Sequence, residues 1–308
     1  MRTLRHLLSG LPKNWGRWGD DDEIGALNHL DAAQVLRGVA AVEKGSVFTL
    51  QRRVGDPDDE MTPHGRAPAR HTVHQDQRTY ATGAARPVPG GLEYADDTID
   101  MYLQGTTHVD ALGHVWYDGM IWNGQPAEST NDGLDFASVL PISERGIVGR
   151  GVLLDMARHR GKESLERGET FGVSDLLECA HAQGIEIERG DIVLIRTGWL
   201  TGSIPSVELD EPGLEFHPDL VRWFDEFAIP CLVGDTFANE ATHHSAGCDF
   251  VLHGALVRNL GIVFVELASL DELAADCAAD RRYAFLYVAA PLKIAHATGS
   301  PVNPIAIK

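Results

Sequence analysis

Within eleven residues this chain places Gln104, His108, Asp110 and His114, in the run Leu103-Gln-Gly-Thr-Thr-His-Val-Asp-Ala-Leu-Gly-His114. A neutral imidazole and a carboxylate two residues apart on a β-strand project to the same side, so both can reach one divalent cation. Upstream, Ile99, Met101 and Leu103 alternate with Asp100, Tyr102 and Gln104, which is the period of a strand. If that strand runs on, Gln104, His108 and Asp110 share a face. A His-x-Asp pair is also common without a metal, and the rest of the chain has to decide its meaning.

A second stretch with the same flavour is Leu252-His-Gly-Ala-Leu-Val-Arg-Asn-Leu-Gly-Ile-Val-Phe-Val-Glu-Leu267. His253 lies early on an expected helix that stops at Gly261, and Glu266 lies late on the strand that follows. A helix and the strand after it run antiparallel, so His253 and Glu266 come to the same end of the layer. A carboxylate directly after Ile262-Val-Phe-Val265 is costly to bury unless a cation or donors pair it. His243 and His244, beside Asp235, Thr236 and Glu240, follow a strand end, where α/β proteins place ligand-contacting loops. They are read as substrate-binding or as plain surface histidines. Trp116 and Trp122 follow His114 and suit either a flat substrate or the core.

The elements that must position these groups alternate between strand and helix. A helix is expected over 32–44 behind Asp31, with a first strand over 46–54. Strands follow over 145–156 and 191–198, with a helix capped by Ser174 between them and ended by Gly184. His217-Pro218 opens a further helix, Pro being favoured in the first turn. Strand 229–236, helix 249–260, strand 262–267, helix 270–277 and strand 283–292 complete the series. This pattern argues for an α/β fold, read as one domain over 1–308. Residues 1–30, with the two Trp of Asn14-Trp-Gly-Arg-Trp18, are expected as an ordered N-terminal surface segment. Residues 55–97, rich in Pro and Gly, are expected as a long loop or lid in which His71 and His74 are solvated.

The motifs Gly105-Thr-Thr-His-Val-Asp-Ala-Leu-Gly-His114, His253-x-x-Leu, Gly261-Ile-x-x-x-Glu-Leu267, Pro291-Leu-Lys-Ile294 and Gly299-Ser-Pro301 occur in an order that resembles the cyclase family. That family includes bacterial kynurenine formamidase and isatin hydrolase. The resemblance runs from about residue 98 to the C-terminus and, more loosely, includes the Trp-rich opening. It implies a swivelling β/β/α domain, a mixed sheet with flanking helices, assembled as a homodimer or homotetramer. It implies one or two divalent ions, zinc or manganese, held by His108, Asp110, His253 and Glu266, and His114 as acid and base. The family motif carries a histidine four residues before His108, where this chain has Gln104, a weaker ligand for zinc and a candidate substrate contact together with Trp116.

The implied reaction is hydrolysis of a C–N bond in a small cyclic or aryl amide by metal-activated water, with lactone hydrolysis as an alternative on the same site. A metal-free lyase, isomerase or cyclase using His114, or a non-catalytic ligand-binding relative, would leave the same scaffold. The expected partner is a small-molecule substrate, as the resemblance implies, and composition only disfavours other classes. Lys and Arg number 26 against 45 Asp and Glu, a net charge of −19, which disfavours nucleic acid and anionic membrane. The four cysteines show no Cys-x-x-Cys spacing, and neither a signal peptide nor a membrane span is evident, so a cytoplasmic location is expected. No Gly-x-Ser-x-Gly elbow and no phosphate loop are present.

Overall fold

Alternating apolar runs place thirteen strands along the chain in a computed structural model that describes residues 3–56, 59, 65–200 and 210–308. In chain order they are β1 (Val47–Thr49), β2 (Arg70–Gln75), β3 (Asp96–Asp100), β4 (His108–Asp110), β5 (Ile147–Asp155), β6 (Thr170–Phe171) and β7 (Ile192–Arg196). The remainder are β8 (Gly213–Leu214), β9 (Cys231–Gly234), β10 (Val263–Glu266), β11 (Ala284–Ala289), β12 (Gly299–Pro301) and β13 (Ile305–Ile307). Nine of them form one sheet in the order β1-β13-β11-β5-β7-β9-β10-β4-β12. The middle four, β5, β7, β9 and β10, run parallel, and antiparallel pairs flank them on both sides.

The parallel strands are continuous apolar runs because helices cover them. All five residues of β7 and all four of β10 are buried. The helix Val173–Gln183 packs against β5, and Gly184 ends it in the left-handed region. Its cap is not Ser174 as expected. The helix starts two residues earlier, with Gly172 in the cap position, where the Asp175 carboxylate accepts from the Gly172 amide at 2.8 Å. His217 and Pro218 do open the next helix, Pro218–Glu226. The mixed α/β class with flanking helices is therefore the one expected.

Two stretches differ from expectation. The alternation through Ile99 ends with β3 at Asp100, so the strand does not run on to Gln104. Instead β3 pairs with β2 in a separate two-stranded sheet, and a turn closed by Gly105 N–H donating to the Tyr102 carbonyl intervenes before β4. The expected loop 55–97 thus contains β2 and a short helix, Gln77–Ala81, whose N-terminus is boxed by Asp76 and Thr79. His71 pairs with Asp97 and His74 with Thr98 across this exposed hairpin, which accounts for both rings without a metal. Residues 57–58 and 60–64 of the expected lid lie outside the described residues.

The N-terminal segment is more than a surface feature, because Leu8, Ala26, Leu27 and Leu30 are buried in the core. It also terminates the helix that carries His253. Residues His253–Leu260 wind as a π-helix, a wide turn that recurs at functional positions, and stop at Gly261 with φ 72°. A π-helix leaves its last carbonyls unpaired. Here the Trp15 indole donates to the Arg258 carbonyl, the Asn14 amide to Asn259, the Asn14 side chain to Leu260, and the Ala26 amide to Gly261, at 2.9, 2.9, 3.1 and 2.7 Å. Glycine is required at the crossing, since a Cβ on Gly261 would stand 2.6 Å from the Trp122 ring and 2.9 Å from the Gly25 Cα. Trp122 is accordingly a core residue rather than a substrate contact. No helix among the described residues is long and apolar enough to cross a membrane.

Candidate metal centre and active site

Strand β4 is only three residues long, yet it lies between β10 and β12 and is fully buried. Its alternation sends Val109 into the core and His108 and Asp110 to the other face. The register then sets Glu266 of β10 directly opposite His108, so two chain segments more than 150 residues apart deliver neighbouring side chains. His108 Nε2 stands 3.2 Å from Glu266 Oε2 and 3.5 Å from Asp110 Oδ1. One donor atom from each of His108, Asp110 and Glu266 fits within a mutual spread of 4.8 Å, the geometry of a group able to hold a cation.

His253 enters from the π-helix, with Nε2 3.5 Å from Glu266 Oε1. His114 Nε2 is 3.9 Å from Asp110 Oδ1, and this ring is the most open of the five. All five residues that the sequence assigns to metal and proton transfer are therefore brought together. The helix-to-strand direction that joined His253 to Glu266 is the one observed.

The unused ring nitrogens are committed elsewhere, which fixes what faces the cluster. His108 Nδ1 donates to the Thr106 carbonyl at 2.7 Å, turning Nε2 inward. His253 Nδ1 contacts Glu240 Oε1 at 2.5 Å. Glu240 is itself held by the Leu252 and His253 amides and by His244. Sequence reasoning passed over Glu240, although a carboxylate thirteen residues before a candidate ligand and four before His244 was the available signal. Carboxylate–histidine pairs of this kind orient ligands and raise their basicity. Replacing Glu240 with Gln is expected to weaken divalent-ion affinity by about 10–100-fold with the fold retained, as read by chelator competition. An unchanged affinity would mean that Glu240 does not orient a ligand.

Charges respond to this crowding. Burial pulls the His108 pKa down, but its contacts with Asp110 and Glu266 outweigh that and raise it to about 9. Burial likewise opposes protonation of His253, and Glu240 and Glu266 carry it well above the ordinary histidine range. Burial pushes Asp110 up, yet His114 and His108 hold it well below the usual carboxylate range. His114 moves the other way, lowered chiefly by burial.

The other expected contacts divide. Trp116 and His114 line a cleft of about 250 Å³ with Leu4, Tyr117, Phe250 and His253 among its walls. His243 is exposed and held by Asp249 at the rim of that cleft. His244 is not an open substrate contact: it is buried, accepts from the Phe216 amide and supports Glu240. The reason is that only one of two adjacent histidines can face inward. Gln104 is buried with its amide donating to Thr298 at 3.1 Å, next to Gly299, whose register partner is Asp110. Its amide nitrogen is thus spoken for by a hydroxyl.

Arg66 is a further neighbour, from the stretch expected as a lid. Its guanidinium donates to the Gln104 carbonyl at 2.6 Å and lies over the Phe237 ring at 4.8 Å. Phe237 and Trp199 are both tied to the buried Glu211, whose carboxyl accepts from the Phe237 amide and the Trp199 indole. Burial pushes the Glu211 pKa up to about 8.

Comparison with known proteins places the chain in a family. The family model for cyclases matches residues 58–241. A solved structure described as a novel cyclase superposes with a TM-score of 0.86 at 32% identity, covering 96% of this chain and 100% of that one. Isatin hydrolase A from Labrenzia aggregata, bound to benzyl benzoate, gives 0.58 at 23% identity over 89% of this chain and 97% of its own. A protein from Bacillus stearothermophilus described as a predicted metal-dependent hydrolase gives 0.51 at 17% identity, over 85% and 97%. No curated protein matches. The matched model spans more than half of the chain and the 32% identical structure nearly all of it, and on that ground the chain belongs to the cyclase family.

Proposed function

We propose that this protein is a metal-dependent hydrolase that cleaves a C–N bond in a small cyclic or aryl amide. The observation that carries the reading is a buried deficit of partners. Both Asp110 carboxylate oxygens and Glu266 Oε1 are buried without a hydrogen-bond donor. Such oxygens are costly to keep in a protein interior unless a cation pairs them. The donor set, imidazole with carboxylates, suits zinc or manganese, with His108, Asp110 and Glu266 as one group and His253 beside it. The isatin hydrolases among the structural neighbours bear names for opening a cyclic amide, which supports the substrate class.

When bound, a divalent ion supplies Lewis acidity, polarising a carbonyl and making water more acidic. The chain's own groups do the rest. His114, whose pKa burial lowers, is neutral at physiological pH and offers Nε2 to accept a proton and return it to the departing amine. The apolar walls of the cleft, Leu4, Tyr117 and Phe250, exclude bulk water and accept a flat substrate. Asp110 is held well below the usual carboxylate range and stays ionised.

The metal-free protein provides the test. His108 there binds a proton with a pKa near 9, and an ion must displace it. Apparent affinity for zinc or manganese should therefore rise from pH 6 to 8 by at least about tenfold per pH unit, and more steeply if the proton on His253 is displaced as well. Chelation should abolish hydrolysis of isatin, used as the probe amide, and added metal should restore it. A purified protein that binds neither ion tightly, with hydrolysis indifferent to chelator, would sink the reading.

A further inference from the structure

The cation-facing cluster has an oppositely charged neighbour whose donors are largely unspent. Among the described residues, the Arg66 guanidinium makes one hydrogen bond, to the Gln104 carbonyl, and no ion pair. A guanidinium carries five N–H donors in a planar fork that matches a carboxylate. Its Cζ lies 4.8 Å from the Phe237 ring centroid, within range of the ring's negative face. Burial lowers the Arg66 pKa, and the charges of Asp110 and Glu266 act on it in the opposite direction.

The platform under Arg66 is built rather than incidental. Phe237 and Trp199 pack with Leu200 and Leu267 in a small apolar cluster separate from the main core. Leu267 directly follows Glu266, and its carbonyl accepts from Thr107, the neighbour of His108. Glu211 fixes the Phe237 backbone and the Trp199 indole together. An aromatic floor, an under-used guanidinium and the carboxylate cluster thus meet at one end of β4 and β10.

We propose that Arg66 over Phe237 is the site that holds the carboxylate of an aromatic product, so that the natural substrate is an amide, acyclic or ring-fused, whose cleavage leaves the new carboxylate on the aromatic fragment. This deepens the proposed amide hydrolysis and rests on it for the identity of the reaction. In that reaction water gives its hydroxyl to the acyl carbon and a proton to the nitrogen as the C–N bond breaks. The carboxylic acid formed loses its remaining proton, and the anion pairs with Arg66. A neutral amide gains far less from the same guanidinium.

Binding of benzoate and of the isosteric neutral benzamide tests this by calorimetry on the full chain, once loaded with manganese and once stripped by chelator. Arg66→Gln is expected to weaken benzoate by about tenfold or more while benzamide changes by less than about twofold, and Arg66→Lys is expected to recover part of the loss. The effect should persist in the stripped protein, where no ion can bind the carboxylate. Benzoate affinity unchanged by Arg66→Gln, equal losses for both ligands, or lost manganese in the variant would each overturn the proposal. The stripped protein keeps the two claims apart. A protein that fails to bind manganese can still show the Arg66 effect, and one lacking the effect can still hydrolyse in a metal-dependent way.

Discussion

Asp110→Asn should cost the protein its divalent ion. Both oxygens of this carboxylate are buried without a hydrogen-bond partner, its strand neighbour His108 is 3.5 Å away, and Glu266 completes the group. Asparagine keeps the shape but removes the charge and one of the two acceptor oxygens. Loss of a direct ligand should exceed the 10–100-fold typical of a supporting residue, so affinity should fall by more than about 100-fold. Metal content after gel filtration, together with chelator competition, measures it, and circular dichroism checks that the sheet survives. Retention of a full equivalent at unchanged affinity would show that Asp110 is not a ligand.

The second large effect belongs to His114. It stands 3.9 Å from Asp110 and opens into the cleft, and in the proposed reaction it moves the proton rather than holding the ion. His114→Ala should therefore leave metal content intact and lower kcat by about 10²–10⁴-fold, the range for removing a general acid–base group. The pH profile gives an independent reading. The lowered His114 pKa places the acid limb of the wild-type rate below the ordinary histidine range, because the neutral ring is the active form and protonation removes it. That limb should vanish from the residual activity of the variant. If metal is lost along with activity, His114 is a ligand, and the division of roles drawn here is wrong.

Much of the site was legible because two of its rules are local. Alternation on a strand put His108 and Asp110 on one face whatever the surroundings, and the reversal from helix to strand put His253 beside Glu266. What was not legible depends on tertiary partners. Ile99, Met101 and Leu103 alternate convincingly, yet nothing in that alternation reveals that β3 pairs with β2 instead of continuing toward β4. The facing of Glu266 and His108 is a matter of register between strands distant in sequence. His243 and His244 look alike in sequence, and only burial against Phe216 and Glu240 separates the inward ring from the outward one. Arg66 lay in a Pro- and Gly-rich stretch without period, so its approach to Phe237 left no local signature.

The clamp of Asn14, Trp15 and Ala26 on the end of the π-helix also governs when the site can form. The Asn14 side chain and its Leu260 partner are 246 positions apart. Contacts of such separation close late, since the entropy of a very long loop must be lost before they return anything. During synthesis the segment around Asn14 leaves the ribosome long before residues 258–261 exist to receive it. His253 and Glu266 flank those carbonyls in the chain, so the candidate ion-binding group is among the last parts of the molecule to assemble. Until then the intervening chain has to fold without the charge that its buried carboxylates await.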